Sequence, residues 1–405
     1  MILVIADNLT GAIEIAGLGH SYGLATSLIT GQTDNLPVCD LIVFATETRS
    51  MTEQEAICET HSVCQQIKSA LPKLTEARHA AMTPLQRAQA LAHPNEVLHI
   101  FKKTDSLLRG HVHMELRALI EESRYEQVMY LPANPSKGLT IRGGRFFVQG
   151  TPIDQTSHKN DLDHPILTAN VADAISVRPG SRLRICDAED QQDVQRAVRL
   201  ALNNHTPTLL AGSTDLFCTF LSELGYKPSR HKQFPGLSEK GSALIVCSST
   251  ASTDISHKPY IQRHNMAVIP LPGEVYESIV RLSITPKEGT DRWLARFKQA
   301  MVVNGKVGSY ILTIPYSNTD TLQGFQALCT TTADMTQRLV AQSSITEMVI
   351  EGGATAYAII NKFGWKRFQI SQLITPGVVR LNCLDATHTH LTIKTGHGEW
   401  GDLFA

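Results

Sequence analysis

The stretch Lys102-Lys103-Thr104-Asp105-Ser106-Leu107-Leu108-Arg109-Gly110 lies between two runs of regular pattern. The apolar run from Val97 to Phe101 before it predicts a β-strand. Apolar residues spaced three or four apart between Val112 and Ile120 predict a helix after it. A strand, a turn and a helix in this order indicate an α/β fold. The turn then lies at the carboxyl end of a strand, where open α/β sheets bind their ligands.

This nonapeptide also concentrates side chains that bind ligands. It holds three cations, one carboxylate and two hydroxyls ahead of Gly110. Cations suit an anionic ligand, and a helix start adds backbone N–H donors. Asp105 is suited to accept a proton or hold a metal. The alternative is a solvated charged turn in which Asp105 or Ser106 caps the helix. We favour the ligand site because so many different groups meet in one turn.

Length and composition restrict the class of protein. A chain of 405 residues predicts two domains, and its 42% hydrophobic and 19% charged residues are typical of a globular protein. The net charge of −1 gives no basic field that would attract nucleic acid. No run approaches the ~20 apolar residues of a membrane span. The opening Met1 to Ala6 is expected to be a buried strand and not a signal peptide.

The cysteines indicate a reducing compartment. There are eight, scattered along the chain without a CxxC pair. This is typical of reduced thiols that fill the core, so we expect a cytoplasmic protein.

Polar clusters follow other predicted strands of the first half. The strand Ile2 to Ala6 leads into Asp7-Asn8-Leu9-Thr10-Gly11 and a helix, and the strand Leu41 to Ala45 leads into Thr46-Glu47-Thr48-Arg49. Asp7 and Thr10, taken singly, are also explained as a turn former and a helix cap. We expect a helix over Glu53 to Ala70, followed by a short helix and loops over 72–95.

A glycine-rich segment and a polar segment suggest how the first half is organised. Residues 137–150 predict a hairpin or a lid that carries two arginines. Residues 226–241, rich in Pro, Lys, Ser and Gly, predict a linker between domains 1–225 and 242–405.

The second half contains three small turns that suit phosphate. Ser248 to Asp254 is rich in hydroxyls, and Glu351-Gly352-Gly353-Ala354-Thr355 places two glycines before a helix. Lys394 to Gly398 follows the last predicted strand. Hydroxyls and free N–H groups at a helix start form a phosphate cradle. An ST-turn with a cap is the alternative for the first of them. No GxxxxGK[ST] sequence occurs, which excludes a P-loop. These patterns predict two α/β domains with mostly parallel sheets and a cleft between them, and such an arrangement suits a kinase.

Six short motifs in order resemble the four-carbon acid sugar kinase family. Residues 5–12 are similar to its IADDLTGA, 46–49 to its T-E-S-R, and 102–110 to its K-K-x-D-S-T-L-R-G. Residues 131–152 resemble its P-A-x-P and G-x-x-x-x-x-G-x-P, 351–355 its G-G-x-T, and 394–396 its K-S-G. Members of this family phosphorylate threonate, erythronate or 3-oxo-tetronate with ATP.

The resemblance implies a role for each domain. The amino-terminal domain would bind the acid sugar through Asp7, Thr10, Lys103, Asp105, Ser106 and Arg109. The carboxyl-terminal domain would bind ATP through Ser248, Gly352, Gly353, Ala354, Thr355 and Gly396. The expected partners are thus a small acid sugar and ATP, with a homodimer possible and neither nucleic acid nor a membrane involved.

It also implies the chemistry. Lys103 and Arg109 would pair with the carboxylate or the moving phosphoryl group, and either Asp105 or Asp7 would accept the proton of the attacking hydroxyl. Mg²⁺ would be held mainly by nucleotide phosphates and water, so we expect no metal ligands from the protein.

One departure from the family pattern supports an alternative. Asn8 stands where the family usually has a second aspartate, which leaves fewer carboxylates to act as the base. A catalytically silent, nucleotide-binding regulatory or scaffold protein on the same fold is therefore the competing hypothesis. An anion-binding module without ATP is a third, but it would leave the turns of the second half unexplained.

Overall fold

The computed structural model describes residues 1–81, 98–161, 163–229, 234–248, 255–304, 308–314, 321–386, 390–396 and 398–404. The chain divides into a first unit, Met1–Ser229, and a second unit, Arg230–Ala405. The boundary between them falls within residues 226–241, the segment in which the sequence predicts a linker.

The first unit is built on a parallel sheet with helices. Its strands are β1 (Ile2–Ala6), β2 (Thr26–Ile29), β3 (Leu41–Ala45), β4 (His99–Lys103), β5 (Gln127–Leu131), β9 (Leu183–Ile185) and β10 (Thr208–Gly212). They are ordered β2-β3-β1-β4-β10-β5-β9, and each neighbouring pair is parallel. The helices are α1 (Leu9–Ser21), α2 (Glu53–Ala81), α3 (Val112–Glu122), α4 (Val171–Ala174), α5 (Gln191–Leu202) and α6 (Thr214–Glu223).

A small antiparallel sheet occupies the glycine-rich segment. It consists of β6 (Leu139–Arg142), β7 (Arg145–Val148) and β8 (Thr151–Pro152). The hairpin predicted for residues 137–150 is therefore present, with Gly143 and Gly144 at its tip.

Strand β4 runs further than the sequence suggested. It includes Lys102 and Lys103, which pair with Ile5 and Ala6 of β1, whereas the expected strand ended at Phe101. Lys102 is accommodated because its ammonium lies 2.6 Å from a carboxylate oxygen of Glu115 on α3, with both side chains buried. Buried charges are tolerated in a fold when they are paired in this way.

The same carboxylate organises the neighbouring strand ends. The Thr48 hydroxyl donates to Glu115 Oε2 at 2.7 Å and lies 3.0 Å from the hydroxyl of Thr46. Thr46 Oγ1 in turn donates to the carbonyl of Ala6 at 2.9 Å. Helix α3 and the ends of β4, β3 and β1 are thus joined by one buried polar network.

Helix α2 corrects the expectation of a helix that ends at Ala70. It continues through Pro72 to Ala81, although proline removes an internal hydrogen bond. Contacts beyond the proline hold the last turns: Leu74 is buried, and Arg78 donates to the carbonyl of Cys39 at 3.1 Å. The loops expected up to residue 95 fall mostly on 82–97, outside the described residues.

The second unit carries a mixed sheet. Its strands are β11 (Ser242–Cys247), β12 (Ala267–Pro270), β13 (Tyr310–Thr313), β14 (Ile345–Glu351), β15 (Arg367–Thr375), β16 (Val378–Cys383) and β17 (His390–Lys394). In the order β12-β13-β11-β14-β17 neighbours are parallel, and β16 and β15 continue the sheet antiparallel. The helices are α7 (Pro259–Arg263), α8 (Gly273–Val280), α9 (Pro286–Asn304), α10 (Leu322–Gln342) and α11 (Gly353–Phe363).

These elements confirm the predicted α/β fold with mostly parallel sheets. Among the helices that the structure describes, none has the length and apolar character that crossing a bilayer requires. The eight cysteines form no disulfide, and four of them are buried.

The buried ion pair of β4 and α3 yields a stability prediction. Glu115→Ala leaves the Lys102 ammonium buried without its partner, so we expect the free energy of unfolding to fall by ~3–5 kcal/mol. Urea denaturation measures the loss. Glu121→Ala on the same helix is the matched control, because its pair with Arg117 is half exposed, and such pairs contribute ~0–1 kcal/mol. Equal losses in the two variants would contradict this role for the pair.

Candidate active site

The ends of four parallel strands in the first unit are tied together. Asp7 N donates to Lys103 O at 3.3 Å, and Thr46 N donates to Ala6 O at 3.0 Å. Thr104 N donates to Gly212 O at 3.1 Å, which adds the end of β10. The polar residues that follow β1, β3 and β4 therefore emerge side by side at one edge of the sheet, where parallel sheets bind ligands.

Asp7 lies at the centre of this edge. One carboxylate oxygen, Oδ2, accepts a hydrogen bond from the amide of Asp105 at 2.7 Å. The other oxygen, Oδ1, is buried and has no hydrogen-bond partner among the described residues. Burial raises the pKa of Asp7, although the positive charge of Lys102 opposes the shift. A buried acceptor without a donor is costly in a folded protein, so this oxygen is suited to receive a donor from a ligand.

Asp105 differs from Asp7, because both of its carboxylate oxygens have hydrogen-bond partners. Its two oxygens accept from Arg109 Nε at 2.9 Å and Nη2 at 2.8 Å, which is a bidentate pair. The amide of Leu107 donates to it at 2.9 Å. Burial alone would raise the pKa of Asp105, but the charges and hydrogen bonds of Arg109 and Arg49 hold it far below its usual range.

Arg49 and Asp161 complete this cluster, and neither was among the predicted site residues. Arg49 Nη1 lies 3.2 Å from Asp105 Oδ1, and Arg109 Nη1 lies 3.1 Å from Asp161 Oδ2. The position of Arg49 in the polar stretch after β3 is a signal that could have identified it. Asp161 lies in a loop whose sequence offers no spacing that points to Arg109.

Gly110 allows the turn of the nonapeptide to close on Arg49. Its φ of +91° lies in the region that favours glycine, and a Cβ there would come within 3.4 Å of the Arg49 Cα. The turn between Asp105 and Arg109 is thus packed against the segment after β3.

Lys103 lies on the opposite face of β4 from Lys102, because successive residues of a strand alternate. Its ammonium is buried, donates to the carbonyl of Thr104 at 2.8 Å, and faces the first turn of α1. A Cβ at Gly11 would lie 3.4 Å from this nitrogen, so glycine permits the close approach. Asn8 begins the helix, since its Oδ1 accepts from Gly11 N at 2.7 Å. The residue that departs from the family pattern is therefore the cap, a role considered for Asp7 and Thr10.

The remaining two predicted residues of this unit are partly exposed. Thr10 lies in the first turn of α1, and Ser106 lies in the turn that follows Asp105. Neither is bonded to Asp7, Asp105 or Arg109, so their expected ligand role stays a prediction.

The second unit forms a compact turn at the ends of β11 and β14. The Ser248 hydroxyl donates to the carbonyl of Glu351 and lies 2.8 Å from the hydroxyl of Thr355. Gly352, with a φ of +95°, precedes α11, and a Cβ there would lie 3.0 Å from Ser248 Oγ. Gly353 and Ala354 form the first turn of α11. The turn therefore combines a helix start, two hydroxyls and a glycine, which are the features of a phosphate cradle.

Strand β17 adds Lys394 and Gly396 to this edge. Lys394 pairs with Glu351 in the parallel register of β17 and β14, and its buried ammonium lies 2.9 Å from Glu351 Oε1. A Cβ at Gly396 would meet open space. Ser249 to Asp254, the rest of the predicted hydroxyl-rich turn, lies outside the described residues.

The described carboxylates at these two edges are paired with cations or held apart, and they do not form a metal-binding cluster. In the described ranges of the chain, no group of three or more His, Cys, Asp or Glu residues is placed to hold a metal ion.

The chain is similar to known proteins. Residues 2–179 match the model of the sugar-binding N-terminal domain. The chain is 23% identical to the 3-oxo-tetronate kinase of Haemophilus influenzae, across 100% of this chain and 98% of that protein. It is 25% identical to the D-threonate kinase of Cupriavidus necator, across 53% and 52% of the two chains.

A solved structure shares the fold. The crystal structure of Haemophilus influenzae protein HI1011 aligns with a TM-score of 0.65 and 20% identity, over 99% of this chain and 98% of that one. The chain is thus similar along its whole length to a 3-oxo-tetronate kinase, and its first 179 residues match a sugar-binding domain.

Proposed function

We propose that this protein is an ATP-dependent kinase that phosphorylates a hydroxyl of a four-carbon acid sugar. The observation that carries the proposal is the buried, unpartnered Oδ1 of Asp7 beside a fixed set of cations. Relatives named as 3-oxo-tetronate and D-threonate kinases support the substrate class. The match of residues 2–179 to a sugar-binding domain supports the assignment of the acid sugar to the first unit.

Asp7 is the better base of the two aspartates. A general base needs a free oxygen and a pKa that is not strongly depressed. Asp7 has both, because Oδ1 has no described partner and burial raises the pKa. Asp105 has neither, since Arg109, Arg49 and the Leu107 amide occupy its oxygens.

Asp105 acts instead by positioning Arg109. The bidentate pair fixes the plane of the guanidinium, and Nη1 also donates to Asp161. Of the five guanidinium N–H groups, one on Nη1 and one on Nη2 are then left for an anion. Lys103 adds a second cation, which is buried, on the side of α1. These two cations suit either the carboxylate of the acid sugar or the charge that develops on the transferred phosphoryl group.

The second unit has the features needed to hold the nucleotide. Gly352 leaves room for a phosphate close to the backbone, and the hydroxyls of Ser248 and Thr355 face the same point. ATP would supply the phosphoryl group, with Mg²⁺ held mainly through its phosphates. Gly353, Ala354 and Gly396 would line the same edge.

The direct test is ADP release from ATP and Mg²⁺ with a panel of four-carbon acids. The panel contains D- and L-threonate, D- and L-erythronate and the 3-oxo forms. We expect saturable turnover with at least one member, and five-carbon acids serve as controls. If no member is turned over while ATP still raises the melting temperature, the protein is a silent nucleotide binder and the kinase proposal is wrong.

The division of roles between the aspartates predicts different kinetic defects. Asp7→Asn should lower kcat by ~10²–10⁴-fold with little change in KM, because the base is lost. Asp105→Asn should raise the KM of the acid by at least ~10-fold, because Arg109 loses its charge-assisted anchor. In the wild type, kcat/KM should fall as the pH is lowered, because protonated Asp7 cannot accept a proton. The midpoint of this fall should lie above the usual aspartate pKa of ~3.9, since burial raises the pKa of Asp7. Near-normal kcat in Asp7→Asn would remove it as the base.

The phosphate cradle predicts a steric effect on nucleotide binding. Gly352→Ala places a methyl group 3.0 Å from Ser248 Oγ, so we expect ATP affinity to fall at least ~10-fold by calorimetry. Gly364→Ala is the matched control, because Gly364 also has a positive φ, at the other end of α11, but has open space around it. Similar ATP affinity in the two variants would exclude Gly352 from the nucleotide site.

A further inference from the structure

Glu47 is a carboxylate at the first-unit edge that the proposed reaction has not used. It follows Thr46 at the end of β3, and its side chain reaches the start of α1, where Leu9 N donates to Oε1. The start of a helix stabilises negative charge, which fixes this oxygen. The carboxylate thus lies on the same edge as Asp7 and borders the first turn of the helix that contains Thr10.

The backbone at Glu47 is held in an uncommon conformation. Its φ is +55°, in the left-handed region that side chains other than those of Gly, Asn and Asp seldom adopt. The neighbours enforce it, because Thr46 N bonds to Ala6 O at 3.0 Å and the Thr48 hydroxyl bonds to Glu115. Strain of this kind concentrates at functional sites, where it directs a side chain.

The second oxygen of Glu47 is available to a ligand. The side chain is half-buried, and within the described ranges no donor is found for Oε2. Burial raises the pKa of Glu47 to about 7, and the charge of Asp7 adds to the shift, while the Leu9 N–H and Arg49 oppose it. The charges of Asp7 and Arg49 therefore both act on Glu47, which belongs to the same charged cluster.

We propose that Glu47 is a specificity-determining residue whose Oε2 accepts a hydrogen bond from a hydroxyl of the acid sugar, an inference that rests on the proposed function. Leu9 N fixes one oxygen, and the strained backbone aims the other. An ionised carboxylate only accepts hydrogen bonds, so it favours a hydroxyl over a ketone or a methylene at the position that it faces. A site built for a hydroxyl rejects an analogue that lacks it, because the acceptor is then left unpaired.

A binding cycle that removes each partner in turn tests this pairing. Calorimetry at about pH 8, above the pKa of Glu47, gives the Kd of the best tetronate for wild type, Glu47→Gln and Glu47→Ala. The same proteins are titrated with the three analogues that lack the 2-, the 3- or the 4-hydroxyl. For the tetronate, we expect Glu47→Ala to weaken binding by ~10- to 100-fold. For one deoxy analogue, wild type and Glu47→Ala should agree within ~2-fold, because the hydroxyl is already missing.

Controls separate this role from a structural one. Glu47→Gln retains an oxygen for Leu9 N, so it should keep the melting temperature while losing part of the tetronate affinity. Glu53→Ala, at the exposed start of α2, should leave every Kd unchanged. An equal loss for the tetronate and all three analogues, no loss at all, or no binding of any acid to the wild type would each overturn the inference.

Turnover assays of the wild type distinguish the two proposals. In one outcome, the wild type turns over an acid sugar while Glu47→Ala weakens the binding of the tetronate and of every deoxy analogue equally. That result leaves the kinase proposal standing and removes Glu47 from substrate recognition. If the loss in Glu47→Ala depends on one hydroxyl but no acid is turned over, the role of Glu47 is supported and the kinase reaction is contradicted.

Discussion

Strand β4 ends in two lysines that the alternation of a β-strand sends to opposite faces of the sheet, and the first unit depends on this separation. Lys102 is buried against Glu115, whose carboxylate also accepts from Thr48. Lys103 faces α1 and lies at the edge of the sheet that carries Asp7 and Asp105. One cation therefore fixes α3 and the strand ends, while the next in sequence remains at the edge where an anion would bind.

The hydrogen bond from the Asp105 amide to Asp7 joins the turn after β4 to the end of β1, where the proposed base lies. It holds two carboxylates close together in different environments. Arginines surround Asp105 and lower its pKa, whereas burial raises that of Asp7. Pairs of carboxyl groups with pKa values moved apart are a common way for an enzyme to separate an anchor from a proton acceptor. The proposed division of roles follows from these environments and not from the motif itself.

Sequence patterns predicted most of this arrangement because strand ends are local features. The polar stretches after β1, β3 and β4 were identified from apolar runs and the turns that follow them. The choice between Asp7 and Asp105 stayed open, since it depends on Arg49 and Asp161, which are 56 residues before and after Asp105. The interior position of Pro72 was missed because the contacts of Leu74 and Arg78 outweigh its local preference.

The second unit shows the same limit. The glycine pair after β14 was found from sequence, but the contact between the hydroxyls of Ser248 and Thr355 joins residues 107 positions apart. The long strand β15 was not predicted, since the segment Arg367–Thr375 mixes buried and partly exposed residues without strict alternation. Hydrogen bonds to β16 stabilise this strand, although the local sequence pattern does not predict it.

A crystal structure of the protein with an acid sugar and a non-hydrolysable ATP analogue would test the role of Asp7 most directly. We expect the hydroxyl that becomes phosphorylated to lie within hydrogen-bond distance of Asp7 Oδ1, with Asp105 still paired to Arg109. A hydroxyl bound to Asp105 instead, with Arg109 released, would contradict the assignment of Asp7 as the base.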